Sequence, residues 1–361
     1  MTSTESERSF TSVEICAGAG GQALGLHGAG FRHHALVEID ANAIATLQHN
    51  AKGKGWEGVR ILQRDLTTFD VTELGLAEGE LDLLAGGVPC PPFSAAGKQL
   101  GENDERDLFP TMLDMVRDLR PKAVMIENVR GLLEPPHKFR EYRENTIERR
   151  LKEEGYEVCM WQVLEAWHFG VPQLRPRAIL VALRPEYAPY FVPFGNVSEE
   201  DERKIQKVTV GDALHDTMRD RFDGSGDARA DDKFKEWLDS ARTDIAPTLV
   251  GGSKKHGGAD LGPTRAKRAW SKLGVCGLGV ANDMDQMKDK ERDLFADGGP
   301  KLTVEQAAII QGFPASWKFM GKKTAAYRQV GNAFPPPVAE AVGKRIRDAL
   351  EKKTPTVPPS A

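Results

Sequence analysis

Residues Val13–Phe31 read VEICAGAGGQALGLHGAGF, an apolar run followed at once by Gly18, Gly20, Gly21 and Gly25 and then by a helical pattern. Glycines between a strand and a helix let the backbone approach a ligand that a β-carbon would exclude. Glu38 in LVEID ends the next apolar run, where an acid can accept hydrogen bonds from both hydroxyls of a ribose. Asp65 in QRDL follows a third run and is suited to accept from an adenine amino group. The loop lacks the GxGxxG spacing of dinucleotide sites. The pattern therefore favours a nucleoside without a pyrophosphate, such as S-adenosylmethionine, over a nicotinamide cofactor.

Outward from this stretch, short apolar runs alternate with amphipathic ones, as βαβ units do. The pattern predicts strands at 13–17, 35–39, 60–63, 81–85, 123–126 and 178–183, and helices over 41–50, 108–119 and 139–154. The expected fold class is α/β, a Rossmann-like, largely parallel sheet with helices on both faces. From about Pro185 the pattern gives way to GNVSEEDERK, DGSGDARADDK and GGSKKHGGADLG. This predicts a smaller, irregular second domain over 188–300, beside a first domain over 10–187. A hinge and bridging segment follows at 301–327. In 328–352, PPPVAEAVGKRIRDALEKK predicts an amphipathic helix that returns to the first domain. Residues 1–9 and 353–361 read as disordered tails.

A chain of 361 residues is long enough for about two domains with sizeable cores. No apolar run approaches the roughly 18–20 residues that span a bilayer, and MTSTESERSF lacks the apolar core of a secretory signal. The expected location is cytoplasmic, with no membrane partner. The four cysteines lie far apart, without CxxC or zinc spacing, so no metal is expected. A net charge of −4 argues against a general polyanion binder. Locally, however, GGSKKHGGADLGPTRAKRAWSKLG sets Lys254, Lys255, Arg265, Lys267, Arg268 and Lys272 against Asp260 alone.

One cysteine stands apart. Leu81–Lys98 reads LDLLAGGVPCPPFSAAGK, which places Cys90 just past a strand's carboxyl end, where open α/β sheets hold their sites. Pro89, Pro91 and Pro92 restrict the backbone around the thiol and so fix its direction. AVMIENVRGLL puts Glu127 and Asn128 at the end of another strand. QLRPR supplies Gln173, Arg175 and Arg177, and strand alternation would point both arginines to one face. That arrangement suits either anion or carbonyl recognition or an ion-pair network.

In order, AGAGG, VEID, RDL, GGVPCPPFS, IENVRGL, QLRPR, QGFP and YRQVGNAFPPPVAEAVG resemble the motif series of the DNA (cytosine-5) methyltransferases, from about residue 12 to 347. The order of these short motifs is far more specific than any one of them. The resemblance implies S-adenosylmethionine as cofactor, S-adenosylhomocysteine as product and double-stranded DNA as substrate. It implies that Cys90 adds as a thiolate to carbon 6 of a flipped-out cytosine. Glu127 would then hydrogen-bond or protonate ring nitrogen 3, and Arg177 would hold the exocyclic oxygen with Arg175 in support. For the cofactor, the resemblance implies Ala17, Gly18, Gly20 and Gly21 at the methionine part and Glu38 at the ribose. Asp65 falls at the adenine amine, with Leu66, Pro89, Asn332 and Ala333 completing the site. DNA contacts fall to Ser94, Lys98, Gln99 and Arg106, and in the second domain to Lys254, Lys255, Arg265, Lys267 and Arg268.

The chain departs from the family pattern in a few places. Family members commonly carry Phe where Cys16 stands and often an aromatic where Ile39 stands, both near the adenine. Ile39 and its apolar neighbours are expected to sandwich the ring instead. Lys301 stands one position after the usual place of an arginine.

The implied chemistry is physically coherent. Carbon 5 of cytosine is a poor nucleophile, and a thiolate at carbon 6 turns the ring into an enamine. A free thiol with a pKa of about 8.5 is only slightly ionised at pH 7, so nearby positive charge or a helix dipole must help, and Arg175 and Arg177 are the obvious cations. The target base must leave the duplex stack, at a cost of about a few kcal/mol. An RNA (tRNA) cytosine-5 methyltransferase of the same branch is the rival reading. A non-catalytic DNA-binding regulator would be expected to have lost the thiol or the acid, and both are present. The enzyme is expected to be a monomer, either solitary or paired in function, without contact, with a restriction endonuclease.

Overall fold

The computed structural model describes residues 9–53, 55–56, 58–89, 107–251 and 259–353. Cys90, Ser94, Lys98, Gln99, Arg106, Lys254 and Lys255 lie outside the described residues, as do almost all residues of the two segments read as tails.

Among the described residues, seven strands form one sheet: Phe10–Ile15 (β1), Phe31–Glu38 (β2), Arg60–Gln63 (β3), Leu83–Gly86 (β4), Ala123–Val129 (β5), Glu157–Glu165 (β6) and Pro176–Leu183 (β7). Their order is β3-β2-β1-β4-β5-β7-β6. β1 pairs in parallel with β2 and β4, β2 with β3, and β4 with β5. β7 runs antiparallel to both β5 and β6, so the sheet is mixed along one edge. Central strands covered on both faces need apolar residues at every position, and all four residues of β4 are buried. β6 escapes the sequence pattern because it is an edge strand with most positions part-exposed, and Glu157, Gln162 and Glu165 interrupt its apolar residues.

Helices Gly21–Gly28 (α1) and Ala41–Ala51 (α2) follow β1 and β2, and Phe109–Leu119 (α3) precedes β5. Asp40 starts α2 by accepting from the backbone N–H groups of Asn42 and Ala43. Because the chain leaves β1 toward β2 and comes back to β4 on its other side, the crevice above the carboxyl ends of β1 and β4 stays open.

Past residue 188 the chain is more regular than its composition suggests, with helices at Val210–Asp223, Ala230–Ala241 and Thr264–Lys272. Val210, Leu214, Met218 and Phe222 recur at helical spacing and are buried. They share a contiguous core with Trp237, Trp270, Trp317, Leu36 and Leu47, so this region packs continuously with the β2 side of the sheet. Lys301 joins it through Asp293, with Nζ 3.0 Å from Oδ1, while its carbonyl accepts from Arg221.

The helix Pro336–Leu350 lies along α1. Val338, Val342 and Ile346 are buried, each worth roughly 1.5–3 kcal/mol of apolar burial. The approach requires glycine at position 25, where a β-carbon would stand 2.3 Å from the Pro336 carbonyl oxygen. No helix among the described residues is long and apolar enough to cross a membrane.

Candidate active site

Two cavities meet at the crevice. The first, of about 530 Å³, is bounded by the loop after β1, the end of β2 and the helix Lys323–Asn332. The second, of about 680 Å³, lies between β5, β7 and residues 248–251. Gly87, Pro89, Glu127 and Asn332 line both.

The loop after β1 is shaped by residues with positive φ: Cys16 at 51°, Gly18 at 54° and Gly20 at 87°. It is tied to β2, since Gly18 N donates to Glu38 Oε2 at 2.8 Å. Glu38 Oε1 accepts from the N–H groups of Ile39 and Asp40, each at 2.8 Å, which fixes the carboxylate at the cavity edge. Cys16, Ala17, Gly18, Gly21, Glu38, Ile39, Pro89, Asn332 and Ala333 all line the first cavity. Ile39 is 59% exposed at the rim, an apolar surface free to lie against a ring. Burial, followed by the charge on Glu38, pushes the Cys16 thiol up to about 12, so it stays neutral.

Several expected cofactor residues do not reach this cavity. Gly20 faces the core, where a β-carbon would stand 2.7 Å from Leu47 Cδ2. Asp65 is turned onto its own loop, accepting from Thr67 N at 2.9 Å and from the Thr67 hydroxyl at 2.8 Å. Those two bonds hold its pKa below the usual carboxylate value. Leu66 is buried in the core beneath the sheet with Phe109 and Leu74.

The two arginines of QLRPR have different surroundings. Arg177 lines the second cavity and its Nε lies 2.8 Å from Glu127 Oε1, across the β5–β7 ladder. The other oxygen, Glu127 Oε2, faces Gly87, where a β-carbon would stand only 3.0 Å away. Arg175 precedes β7, is fully buried and lines neither cavity. Its guanidinium donates to the carbonyls of Leu249 (2.7 Å), Gly331 (2.9 Å) and Ala333 (2.9 Å). Burial, and then the charge of Arg177, lower its pKa well below the ordinary value. The expectation that both arginines share one open face is thus corrected: Arg175 fastens chain segments together, and Arg177 faces the cavity.

Gln173 adds to this fastening, accepting from Leu249 N at 2.7 Å while donating to the Ile310 carbonyl and to Gln311. Together they hold residues 248–251 against the end of the helix Lys323–Asn332. Gly251 and Gly331 meet there, and a β-carbon on Gly331 would stand 2.4 Å from Gly251 N. Thr248, Leu249, Val250 and Gly251 form a wall of the second cavity that the sequence analysis did not assign. The glycine pair of LVGG was its available signal. Asn128 was noted without a role; its side chain donates to the Val88 carbonyl at 2.9 Å and sets the loop that carries Pro89.

In the helix Thr264–Lys272, Arg265 and Arg268 are exposed. Lys267 differs: its Nζ pairs with Asp260 Oδ2 at 2.7 Å and its side chain packs over Gly277. None of the three lines either cavity.

A family model for C-5 cytosine-specific DNA methylases matches residues 10–348. The chain belongs to this family. It is 51% identical over 345 residues to the type II methyltransferase M.NaeI of Lentzea aerocolonigenes, covering 95% of this chain and 76% of that one. To M.NgoMIV of Neisseria gonorrhoeae it is 45% identical, covering 95% and 99%. Among solved structures, the Dnmt2 methyltransferase of S. pombe matches with a TM-score of 0.58 at 18% identity, over 94% of this chain and 98% of that one, a likeness of fold. The methylase is thus a DNA cytosine-5 methyltransferase with the sheet of that enzyme class.

Proposed function

We propose that the methylase transfers a methyl group from S-adenosylmethionine to carbon 5 of a cytosine rotated out of duplex DNA, within a short recognition sequence. The observation that carries this reading is the shared wall. A cofactor in the first cavity and a base in the second would meet across Gly87, Pro89, Glu127 and Asn332. The residues fit such a cofactor: a positive-φ loop that a side chain would strain, a carboxylate fixed at the edge and an apolar rim. When bound, S-adenosylmethionine supplies a methyl group on a sulfonium.

In this reading the Cys90 thiolate, next after Pro89, adds to carbon 6 of the cytosine. Once carbon 5 has taken the methyl group and S-adenosylhomocysteine has left, loss of the carbon 5 proton to water expels the thiolate and restores the ring. Glu127 Oε2 holds or delivers a proton at nitrogen 3, while Arg177 keeps the carboxylate oriented and reaches the exocyclic oxygen. Arg175 acts at one remove, by fixing residues 249, 331 and 333. Arg265 and Arg268 contact the DNA backbone, which makes binding salt-dependent. The named type II relatives support a role in a restriction-modification system, in which methylation would protect the recognition sequence from a restriction endonuclease.

Expression in a host lacking cytosine methylation, followed by bisulfite mapping, tests the reading. Modification at one short motif, lost in Cys90→Ala, is the expected result. Unmodified DNA accompanied by methylated tRNA would overturn it.

A further inference from the structure

The first cavity is acidic except at one point. Its charged lining residues among those described are Glu38, Asp40, Glu127 and Arg328. Each acid already has partners: Glu38 three backbone N–H groups, Asp40 the start of α2, and Glu127 the Arg177 guanidinium. Arg328 differs. Its Nε is buried without a hydrogen-bond partner, and no ion pair joins it to any described residue.

The helix that carries Arg328 is held in place. Ala325, Arg328, Gln329 and Asn332 fall on one face of the helix Lys323–Asn332 and all line this cavity. Gln329 fixes the rotation of that helix, accepting from the Thr46 hydroxyl at 2.7 Å and donating to the Met320 carbonyl at 2.8 Å. Asn332, one turn further on, lines both cavities, whereas Arg328 lines the first and not the second. Its charge therefore faces the cofactor side of the shared wall, away from the base. A half-buried guanidinium without a counter-charge is costly, and a bound anion would offset that cost.

We infer that Arg328 binds the α-carboxylate at the amino-acid end of the cofactor. This rests on the cofactor assignment above. S-adenosylmethionine carries a sulfonium, an ammonium and one carboxylate, and Arg328 is the single base among the described residues of this cavity, so it is the cationic partner available there to the carboxylate. The planar fork of arginine suits a carboxylate, which can accept two parallel hydrogen bonds from it. A DNA phosphate is the other anion within the chemistry of this enzyme.

Isothermal titration of the full-length methylase separates these outcomes. The probes are S-adenosylhomocysteine and its decarboxylated analogue, which keeps the adenosine and the amine. Wild type should prefer S-adenosylhomocysteine by about tenfold or more, the scale of a charge-assisted hydrogen bond. In Arg328→Met that preference should vanish, with the analogue bound as in wild type, and Arg328→Lys should recover part of it. Unchanged S-adenosylhomocysteine affinity in Arg328→Met overturns the inference. So does equal loss of both ligands in Arg328→Met and Arg328→Lys, or a loss confined to duplex DNA affinity and its salt dependence. If wild type binds neither ligand, the cofactor assignment itself fails, a result distinct from these.

Discussion

Arg177 Nε lies 2.8 Å from Glu127 Oε1, and each of the two side chains is only 14% exposed. Charges this far from water are tolerated as a pair, and removing one strands the other. Arg177→Met is expected to lower stability by on the order of 3 kcal/mol in urea unfolding. Adding Glu127→Gln should restore part of that loss. Glu127→Gln alone should reduce methylation by about a hundredfold or more while cofactor affinity holds. A double variant as unstable as Arg177→Met would sink the pairing.

Arg175 behaves as a fastener, so its removal should register first in stability. Arg175→Met leaves the carbonyls of Leu249 and Gly331 without their buried side-chain donor, each at roughly 1–3 kcal/mol, while that of Ala333 keeps the Gln311 amide. Arg175→Lys should rescue little, because an ammonium cannot reach carbonyls arranged around a fork. Thermal unfolding checks this. A variant of normal stability that has lost only turnover would instead place Arg175 on the substrate.

The glycine contact between residues 251 and 331 should tolerate no side chain. On Gly251 a β-carbon would stand 2.2 Å from Asn332 Oδ1, and on Gly331 it would strike the Gly251 backbone. Gly331→Ala is expected to cost about 1–3 kcal/mol and to push residues 248–251 out of the cavity wall. The check is a raised KM for DNA alongside a lowered Tm, and unchanged values for both would refute it.

A buried acid beneath the cofactor loop should make stability depend on pH. Burial raises the Glu14 carboxyl from 4.5 to about 8 and lowers the His33 imidazole from 6.5 to about 3, and the two groups lie 3.4 Å apart. The folded state thus keeps a proton on Glu14 that the unfolded chain loses above 4.5, which lowers stability as pH rises toward 8. His33 works the other way between 3 and 6.5, where the unfolded chain takes up a proton that the folded state refuses. Between 4.5 and 6.5 the two slopes oppose each other, and above 6.5 only the Glu14 slope remains. Urea midpoints should therefore fall between pH 6.5 and 8, and Glu14→Gln should flatten that fall. A wild-type midpoint constant over that range contradicts the assignment.

The legible parts of this molecule were those where local pattern and tertiary role coincide. The runs at β1, β2, β4 and β5 are apolar because they are central, and Gly18 and Glu38 stand at strand ends, where parallel sheets place ligands. Position along the chain did not disclose side-chain direction. Asp65 has the right residue type after the right strand, yet local bonds to Thr67 turn it away from the cavity. Arg175 and Arg177 share a sequence face, but β7 begins only at Pro176, so strand alternation does not govern Arg175. The helices past residue 188 were hidden by charge, since DALHDTMRDRFD sets its buried residues among acids and arginines.

The join between the loop after β1 and the far end of the chain bears on how the protein is made. Gly21 lies so close to the Phe334 carbonyl oxygen that a β-carbon would stand 2.2 Å from it, and α1 is covered by Pro336–Leu350. On the ribosome, α1 and the loop before it emerge long before the segment Pro336–Leu350 that covers them. The apolar face of α1 therefore stays open until that segment is made, a period in which chaperones and misassembly compete for it. Completion of the cofactor cavity accordingly waits on residues 325–334 and the helix Pro336–Leu350.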